Sequence, residues 1–225
     1  GIERPVDGFS WAPDGGRAAV LVDGQVYLWD ARSGLATAPL LGGSAVAWSP
    51  RGGRLLVTRA DGSVAVTDLR GTVIAGAPAA LSGATWSPDG RLVAGVRHTG
   101  DTDALVVWDP HAGTLTQLAS GERLGQPVWS PDGRTLAFAA VPAGRAGDAA
   151  AQLNVVAATG GEPRAIAALA TADDRAVWSP DSRALYYLQR RTATAPGAIH
   201  RVHADGTDDR QIGTLSASAL FPGPR

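Results

Sequence analysis

The sequence predicts an all-β fold: a β-propeller of four-stranded antiparallel blades, five of them visible. Three observations predict it. A pentapeptide phrase recurs as WAPDG (11–15), WSPRG (48–52), WSPDG (86–90 and 129–133) and WSPDS (178–182). Its Trp-to-Trp spacings are 37, 38, 43 and 49 residues, within or just beside the range of about 40–50 that marks propeller blades. Between the phrases stand short apolar runs punctuated by Gly, Asp, Ser and Pro, and no stretch carries a sustained helical period.

Aligned on the phrase, each unit reads as four strands. The first ends in the Trp, as in AVAWS, GATWS, QPVWS and RAVWS. The second starts at the Arg after the turn, as in RLLVTR (54–59), RLVAGVR (91–97) and RTLAFAA (134–140). It is apolar on both faces, which a sheet packed between two neighbours requires. The third reads VYLWD (26–30), VAVTDL (64–69), LVVWD (105–109), LNVVAA (153–158) and IHRVHA (199–204). The fourth, as in LTQLA (115–119) and RQIGTL (210–215), is shorter and more polar, as suits an outer edge that must not pair with other chains.

The phrase itself reads as a hairpin corner. Ser at the first turn position bonds back to the backbone, Pro presets φ, Asp tolerates the third position and Gly suits the fourth, the order of a type I turn. Arg17, Arg54, Arg91, Arg134 and Arg183 follow, with one extra Gly in the first two copies that a bulge would absorb. Trp11, Trp48, Trp86, Trp129 and Trp178 are expected to wedge between adjoining sheets. Burying one indole removes about 150–250 Å² from water, worth at most about 4–6 kcal/mol.

Composition narrows the function classes. The chain of 225 residues is 44% hydrophobic and 18% charged, an ordinary globular balance. Its net charge is −1, with acids and bases interspersed, so no basic stripe points to nucleic acid. All 20 basic residues are Arg, a usage that fits a GC-rich bacterial genome. No Cys is present, which removes disulfides, thiolate metal sites and thiol nucleophiles. No apolar run reaches the roughly 20 residues of a spanning helix, so this segment is not expected to insert into a membrane. Lacking Met even at position 1, the chain reads as a piece of a longer protein.

WSPDG followed by Arg and an apolar strand, together with GGEPR (160–164) and HADGTDDRQI (203–212), resembles the TolB-type, WD-repeat-like β-propeller family over almost the whole chain. The resemblance implies a single propeller domain over 1–225 that binds a protein or peptide, in a periplasmic or otherwise extracytoplasmic place. Such propellers also serve as gating domains of S9-like serine peptidases and as ligand-sensing ectodomains of membrane kinases, which stand as alternatives. Family members commonly have six or more blades, whereas five phrases occur here. The tail SASALFPGPR (216–225) matches the first strand of a further blade or a closing strand, with Phe221 where Trp is expected.

In a blade meander, the turn between second and third strands and the link after the fourth emerge on one rim, opposite the WSPDG corners. The long inserts HTGDTDA (98–104), VPAGRAGDAAAQ (141–152) and QRRTATAPG (189–197) fall on that rim, and loops of varied length are where binding is grafted. The candidate binding residues ahead of the first strands are Ser44, Ser82, Glu122, Arg123, Asp173, Asp174 and Arg175. Beside them stand Arg97, His98, Asp101, Asp103, Arg190 and Arg191.

Catalytic and metal chemistry finds less support. His200 and His203 are three apart on a strand, so they face opposite ways and are expected on the surface rather than around a metal. Asp101 and Asp103 lack the ligand spacing of a calcium loop. DGTDD (205–209) reads as a hairpin turn. No G-x-S-x-G elbow occurs, and five repeated serines without a repeated His partner do not make nucleophiles. The expectation is a non-catalytic module with no cofactor and no metal.

Overall fold

The computed structural model describes residues 5–141, 151–189 and 197–214. Arg190, Arg191, most of the inserts 141–152 and 189–197, and the tail 216–225 lie outside the described residues. Among the described residues, twenty-one strands form five antiparallel sheets. Blade 1 comprises β1 (Gly8–Trp11), β2 (Arg17–Val22), β3 (Gln25–Asp30) and β4 (Leu41–Gly42). Blade 2 comprises β5 (Ala45–Trp48), β6 (Arg54–Thr58), β7 (Val64–Asp68) and β8 (Val73–Gly76). Blade 3 comprises β9 (Ser82–Trp86), β10 (Val93–Thr99), β11 (Thr102–Asp109) and β12 (Thr114–Gly121). Blade 4 comprises β13 (Arg123–Leu124), β14 (Val128–Trp129), β15 (Thr135–Val141), β16 (Ala151–Ala157) and β17 (Arg164–Leu169). Blade 5 comprises β18 (Ala176–Trp178), β19 (Ala184–Gln189), β20 (Ala198–His203) and β21 (Arg210–Thr214). Each sheet is a sequential meander. No helix among the described residues is long and apolar enough to cross a membrane.

The chain groups into two compact units, Gly1–Arg97 with Val106–Thr116, and His98–Leu105 with Gln117–Arg225. In the first, Trp48 packs into a core with Ala12, Ala19, Leu21, Val26 and Leu28 of blade 1 and Leu55 and Val57 of its own blade. The Trp48 N–H donates to Ser10 Oγ at 2.8 Å, and the Arg17 guanidinium lies 5.7 Å from the Trp48 ring centroid. In the second unit, Trp178 joins Ala137, Ala139, Leu153 and Val155 of blade 4 to Leu185, Tyr187 and Val202 of blade 5. Its indole N–H donates to Val128 O at 3.1 Å. Trp48 and Trp178 thus wedge between neighbouring sheets, and Trp86 and Trp129 are likewise no more than 7% exposed.

Trp11 departs from that expectation: it is 49% exposed. It meets Trp29 of its own sheet edge-on, with ring centroids 5.9 Å apart and planes at 73°. The reason is one of faces. Ser10, Ala19, Leu21, Val26 and Leu28 point toward blade 2, while Trp11, Ala18 and Val20 line the other side of the sheet.

The corners are hydrogen-bonded more fully than a plain type I turn. Gly90 N–H donates to Ser87 O, and Gly133 N–H to Ser130 O, at 2.8 Å each. The Ser87 hydroxyl donates to Asp89 Oδ1 at 2.6 Å and accepts from Leu92 N–H at 2.9 Å. Ser130 with Asp132 and Thr135, and Ser179 with Asp181 and Ala184, repeat the pattern. In blade 2 the carboxylate is replaced by Arg51, whose Nε donates to Asp89 O of the next corner. In the last corner Ser182 holds the Gly position at φ 61°, and its hydroxyl accepts from Asp132 N–H at 3.1 Å.

Several local expectations are corrected. The extra Gly of the first two copies makes no bulge, because Trp48 pairs with Leu55 just as Trp86 pairs with Val93 and Trp129 with Leu136. The turn keeps its length, and Arg17 and Arg54 move one place into the second strand. QPVWS is no continuous strand, since Gln126 and Pro127 interrupt blade 4 between β13 and β14, proline having no N–H for the ladder. HTGDTDA is no loop: β10 and β11 run through it to a tight turn at Gly100, φ 64°. Nor is the fourth strand always short, because β12 runs eight residues and buries Leu118 and Ala119.

Two outcomes follow from this packing. Trp86→Ala is expected to cost about 3–5 kcal/mol through the cavity it leaves, and Trp11→Ala no more than a third of that, both read by urea unfolding. At the Ser130 corner, the hydroxyl of Ser130 and the N–H of Arg134 hold the Asp132 carboxyl below its usual range. A depressed carboxyl stabilises fully above the unfolded value near about 4 and stops doing so as pH falls through the folded value. Ser130→Ala, which removes the buried hydroxyl's bonds to Asp132 and to Thr135 N–H, should cost about 1–3 kcal/mol at pH 7 and less in the same assay once pH falls through the folded value of Asp132.

Candidate functional site

The rim opposite the corners is best defined in the second unit. The hairpin of β10 and β11 ends in His98 and Asp103, five residues apart across the turn. His98 Nδ1 lies 2.6 Å from Asp103 Oδ1, and Leu124 N–H donates to Asp103 Oδ2 at 2.8 Å. Asp103 is therefore 8% exposed and acts as a clamp rather than a free rim carboxylate, a correction to its expected place. Asp101 stays exposed at the turn, so the two carboxylates do not converge on a cation.

The clamp anchors β13, which pairs with the end of β15 beyond the break at Pro127. This turns Arg123 to the surface, where its Nη2 donates to Asp173 Oδ2 at 2.8 Å. The two side chains are 62% and 74% exposed. The partner loop is self-braced: Thr171 N–H donates to Asp174 Oδ2 at 3.0 Å, and Asp173 N–H to Thr171 Oγ1 at 3.2 Å. Beside it Gly125 packs so closely that a Cβ would collide with the Ala172 carbonyl. Of the candidates in this unit, the structure thus links His98 to Asp103, and Arg123 to Asp173 with Asp174 behind. Glu122 and Arg175 are exposed on the same two segments.

The candidates of the first unit are tied to their own blades. The hydroxyls of Ser44 and Ser82 donate to Thr58 O at 3.2 Å and Val96 O at 3.4 Å, closing the top of each first strand. Arg97 is half-buried at the end of β10. This unit also holds a cavity of about 440 Å³ on the corner side, lined by Ser49, Arg51, Arg54, Trp86, Arg91, Asp109 and His111. Among the described residues no group of three His, Asp or Glu is placed to hold a metal ion.

His200 corrects a second expectation. It is packed in, not at the surface: its ring lies 5.4 Å from that of Tyr187, and Nδ1 is 3.0 Å from Asp209 Oδ1. Tyr187 donates its hydroxyl to both Asp209 oxygens, at 2.9 and 2.8 Å. Burial, and then the Asp209 carboxylate, push the Tyr187 phenol far above its usual range, so it stays protonated. His203 faces the other way, at the DGTDD turn, where Gly206 takes φ 83°. The clamp, the Thr171 brace and the Tyr187 network all went unread in the sequence. Only Gly-x-Pro at 125–127 and Thr-x-x-Asp at 171–174 hinted at them.

Antiparallel blades with an inner-strand Trp and a Ser–Asp corner define a TolB-type, WD-repeat-like β-propeller. The chain belongs to the lipoprotein LpqB beta-propeller domain family, whose model matches residues 53–177. It is similar to TolB of Agrobacterium tumefaciens, with TM-score 0.64 and 19% identity, over 94% of this chain and 82% of that one. It is also similar to an oligogalacturonate lyase in complex with manganese, with TM-score 0.71 and 20% identity, over 95% and 66% of the two chains. At these identities the likeness is one of fold. Over 107 residues it is 34% identical to the uncharacterized peptidase YuxL of Bacillus subtilis, a match covering 44% of this chain and 16% of that protein.

The two kinds of rim contact should separate in unfolding experiments. Asp103→Ala leaves a buried N–H and is expected to cost about 2–3 kcal/mol, whereas Arg123→Ala, which breaks an exposed pair, should cost less than about 1 kcal/mol.

Proposed function

We propose that the domain is a non-catalytic interaction module that binds a protein or peptide segment on this rim, with Arg123 and Asp173 at its centre, in a bacterial envelope or sensor protein. One observation carries the reading. Arg123, at the start of blade 4, and Asp173, in the link to blade 5, stay largely exposed while the groups that hold their segments are buried. An exposed ion pair adds little to stability, so the braced segments beneath it are better explained by presentation of the pair than by folding. A guanidinium beside a carboxylate offers both donors and acceptors to a peptide backbone or to side chains of either sign. Membership in a lipoprotein domain family and the TolB-like fold support an extracytoplasmic place.

A second reading rests on the identity to YuxL: the domain would be the gating propeller of an S9-like serine peptidase whose hydrolase chemistry lies outside this chain. A G-x-S-x-G-bearing α/β domain on the same gene would favour it.

Phage-displayed peptides selected on the wild-type chain are the test. Arg123→Glu and Asp173→Arg should each weaken the selected peptides by at least about tenfold, roughly one lost charge-assisted contact. The double exchange restores the ion pair but not the binding. If single reversals leave affinity untouched while Arg54→Glu in the corner-side cavity abolishes it, the binding face is the opposite one.

A further inference from the structure

Between the corners of blades 2 and 3 the first unit holds its cavity of about 440 Å³, and every residue lining it belongs to that unit. One of the two corners departs from the repeat. WSPDG at 86–90 and 129–133 and WSPDS at 178–182 carry Asp two residues after Ser, and the Ser hydroxyl donates to it. WSPRG at 48–52 puts Arg51 at that position, so the Ser49 hydroxyl has lost its acceptor. Ser49 is 2% exposed, and among the described residues its Oγ is engaged only as an acceptor, from Arg51 N–H at 3.3 Å. The next corner lies against it: a Cβ on Gly90 would stand 2.9 Å from Ser49 Oγ and 3.1 Å from Arg51 Cγ. A buried donor left without an acceptor is costly, and this one lines a cavity.

The cavity's other charged groups are mostly donors too. Arg51, Arg54 and Arg91 line it from exposed positions, and none of the three guanidiniums forms an ion pair among the described residues. Arg51 spends its Nε on Asp89 O, which leaves its terminal nitrogens for another partner. His111 adds an imidazole. The nearby carboxylates each hold two donors within their own turns: Asp89 Oδ1 accepts from the Ser87 hydroxyl and Arg91 N–H, and Asp109 Oδ1 from His111 N–H and Ala112 N–H. Three guanidinium forks and a hydroxyl around one space match a phosphoryl group, with its nearly two negative charges and three acceptor oxygens. A carboxylate, with one charge and two oxygens, would satisfy fewer of them. The volume leaves room for the group that carries the phosphate.

We propose that this cavity binds the phosphoryl group of a phosphate monoester. Ser49 donates its hydroxyl to one phosphoryl oxygen, and Arg54, Arg91 and the terminal nitrogens of Arg51 donate to the others. The ligand thereby supplies the negative charge that Asp supplies in the corners of blades 3, 4 and 5. The site uses none of the rim residues and stands whether or not the Arg123–Asp173 pair binds peptide.

The test is a titration of the 225-residue chain with inorganic phosphate, glycerol 3-phosphate and acetate at low salt and about pH 8, where the phosphoryl group is a dianion. The amide signals of Gly52, Gly90 and His111 report binding. Saturable shifts with a Kd below about 1 mM are expected for phosphate, at least about tenfold tighter than for acetate. Arg54→Gln and Arg91→Gln should each weaken phosphate by about threefold to tenfold, whereas Arg32→Gln, at an exposed turn of blade 1, should not. Arg51→Asp rewrites the corner as WSPDG and restores the Ser–Asp bond. It should abolish phosphate binding while the urea midpoint stays at or above that of the wild type. Glycerol 3-phosphate bound as tightly as phosphate marks a soluble ester as the source. Capture of the chain by phosphatidic acid vesicles, lost in Arg54→Gln, marks a lipid headgroup. Absence of saturable shifts up to about 10 mM phosphate overturns the proposal. So do shifts that persist unchanged in Arg51→Asp, Arg54→Gln and Arg91→Gln, or acetate bound as tightly as phosphate.

Discussion

The burial of one sheet face against the next, with an indole between them, is the contact on which every other feature depends. A four-stranded sheet apolar on both faces has no stable place in water by itself. Leu21, Val26 and Leu28 on one side of blade 1 are covered by Trp48, Leu55 and Val57. On the other side of the same sheet Trp11 is half exposed and meets Trp29 edge-on. The repeat is thus a set of faces that need partners.

The corner solves a different problem. A chain that must reverse after every inner strand leaves polar groups at the turn, some of them under the neighbouring sheet. The Ser hydroxyls, at most 7% exposed, satisfy a backbone N–H and are satisfied by the Asp carboxylate two residues on. The same economy recurs after the third strands, where Asp30, Asp68 and Asp109 each accept two backbone N–H groups. These carboxylates are held below their usual pKa by the groups they accept from, and several corners of the domain therefore weaken together in acid. Asp here is turn chemistry, which is why its abundance is no sign of a metal or catalytic centre.

With the corner end committed to folding, the other end is free to vary. In the second unit that freedom is used in two layers: a buried carboxylate, a braced loop and a tight glycine contact below, and an exposed pair of opposite charges above. Layering of this kind presents surface groups on a rigid base. It also explains why mutation of the visible charges and mutation of their supports should have different consequences.

The sequence by itself determined the repeat, the strands and the corners, because all of these are local: five letters specify a turn, and short apolar runs between turn residues specify strands. It also yielded the residues that became the Arg123–Asp173 pair, since meander topology puts the segments ahead of the first strands on one rim. Only the tertiary structure decided which candidates pair at the surface and which are held in buried contacts. Asp103 and His200 look like any other polar residues on a strand, yet one caps Leu124 across 21 residues and the other shares Asp209 with Tyr187. The five tryptophans likewise read alike in the sequence, and only Trp11 proved to be half in solvent. Whether a side chain is buried depends on what lies across from it, and a repeat that writes each Trp identically does not specify that.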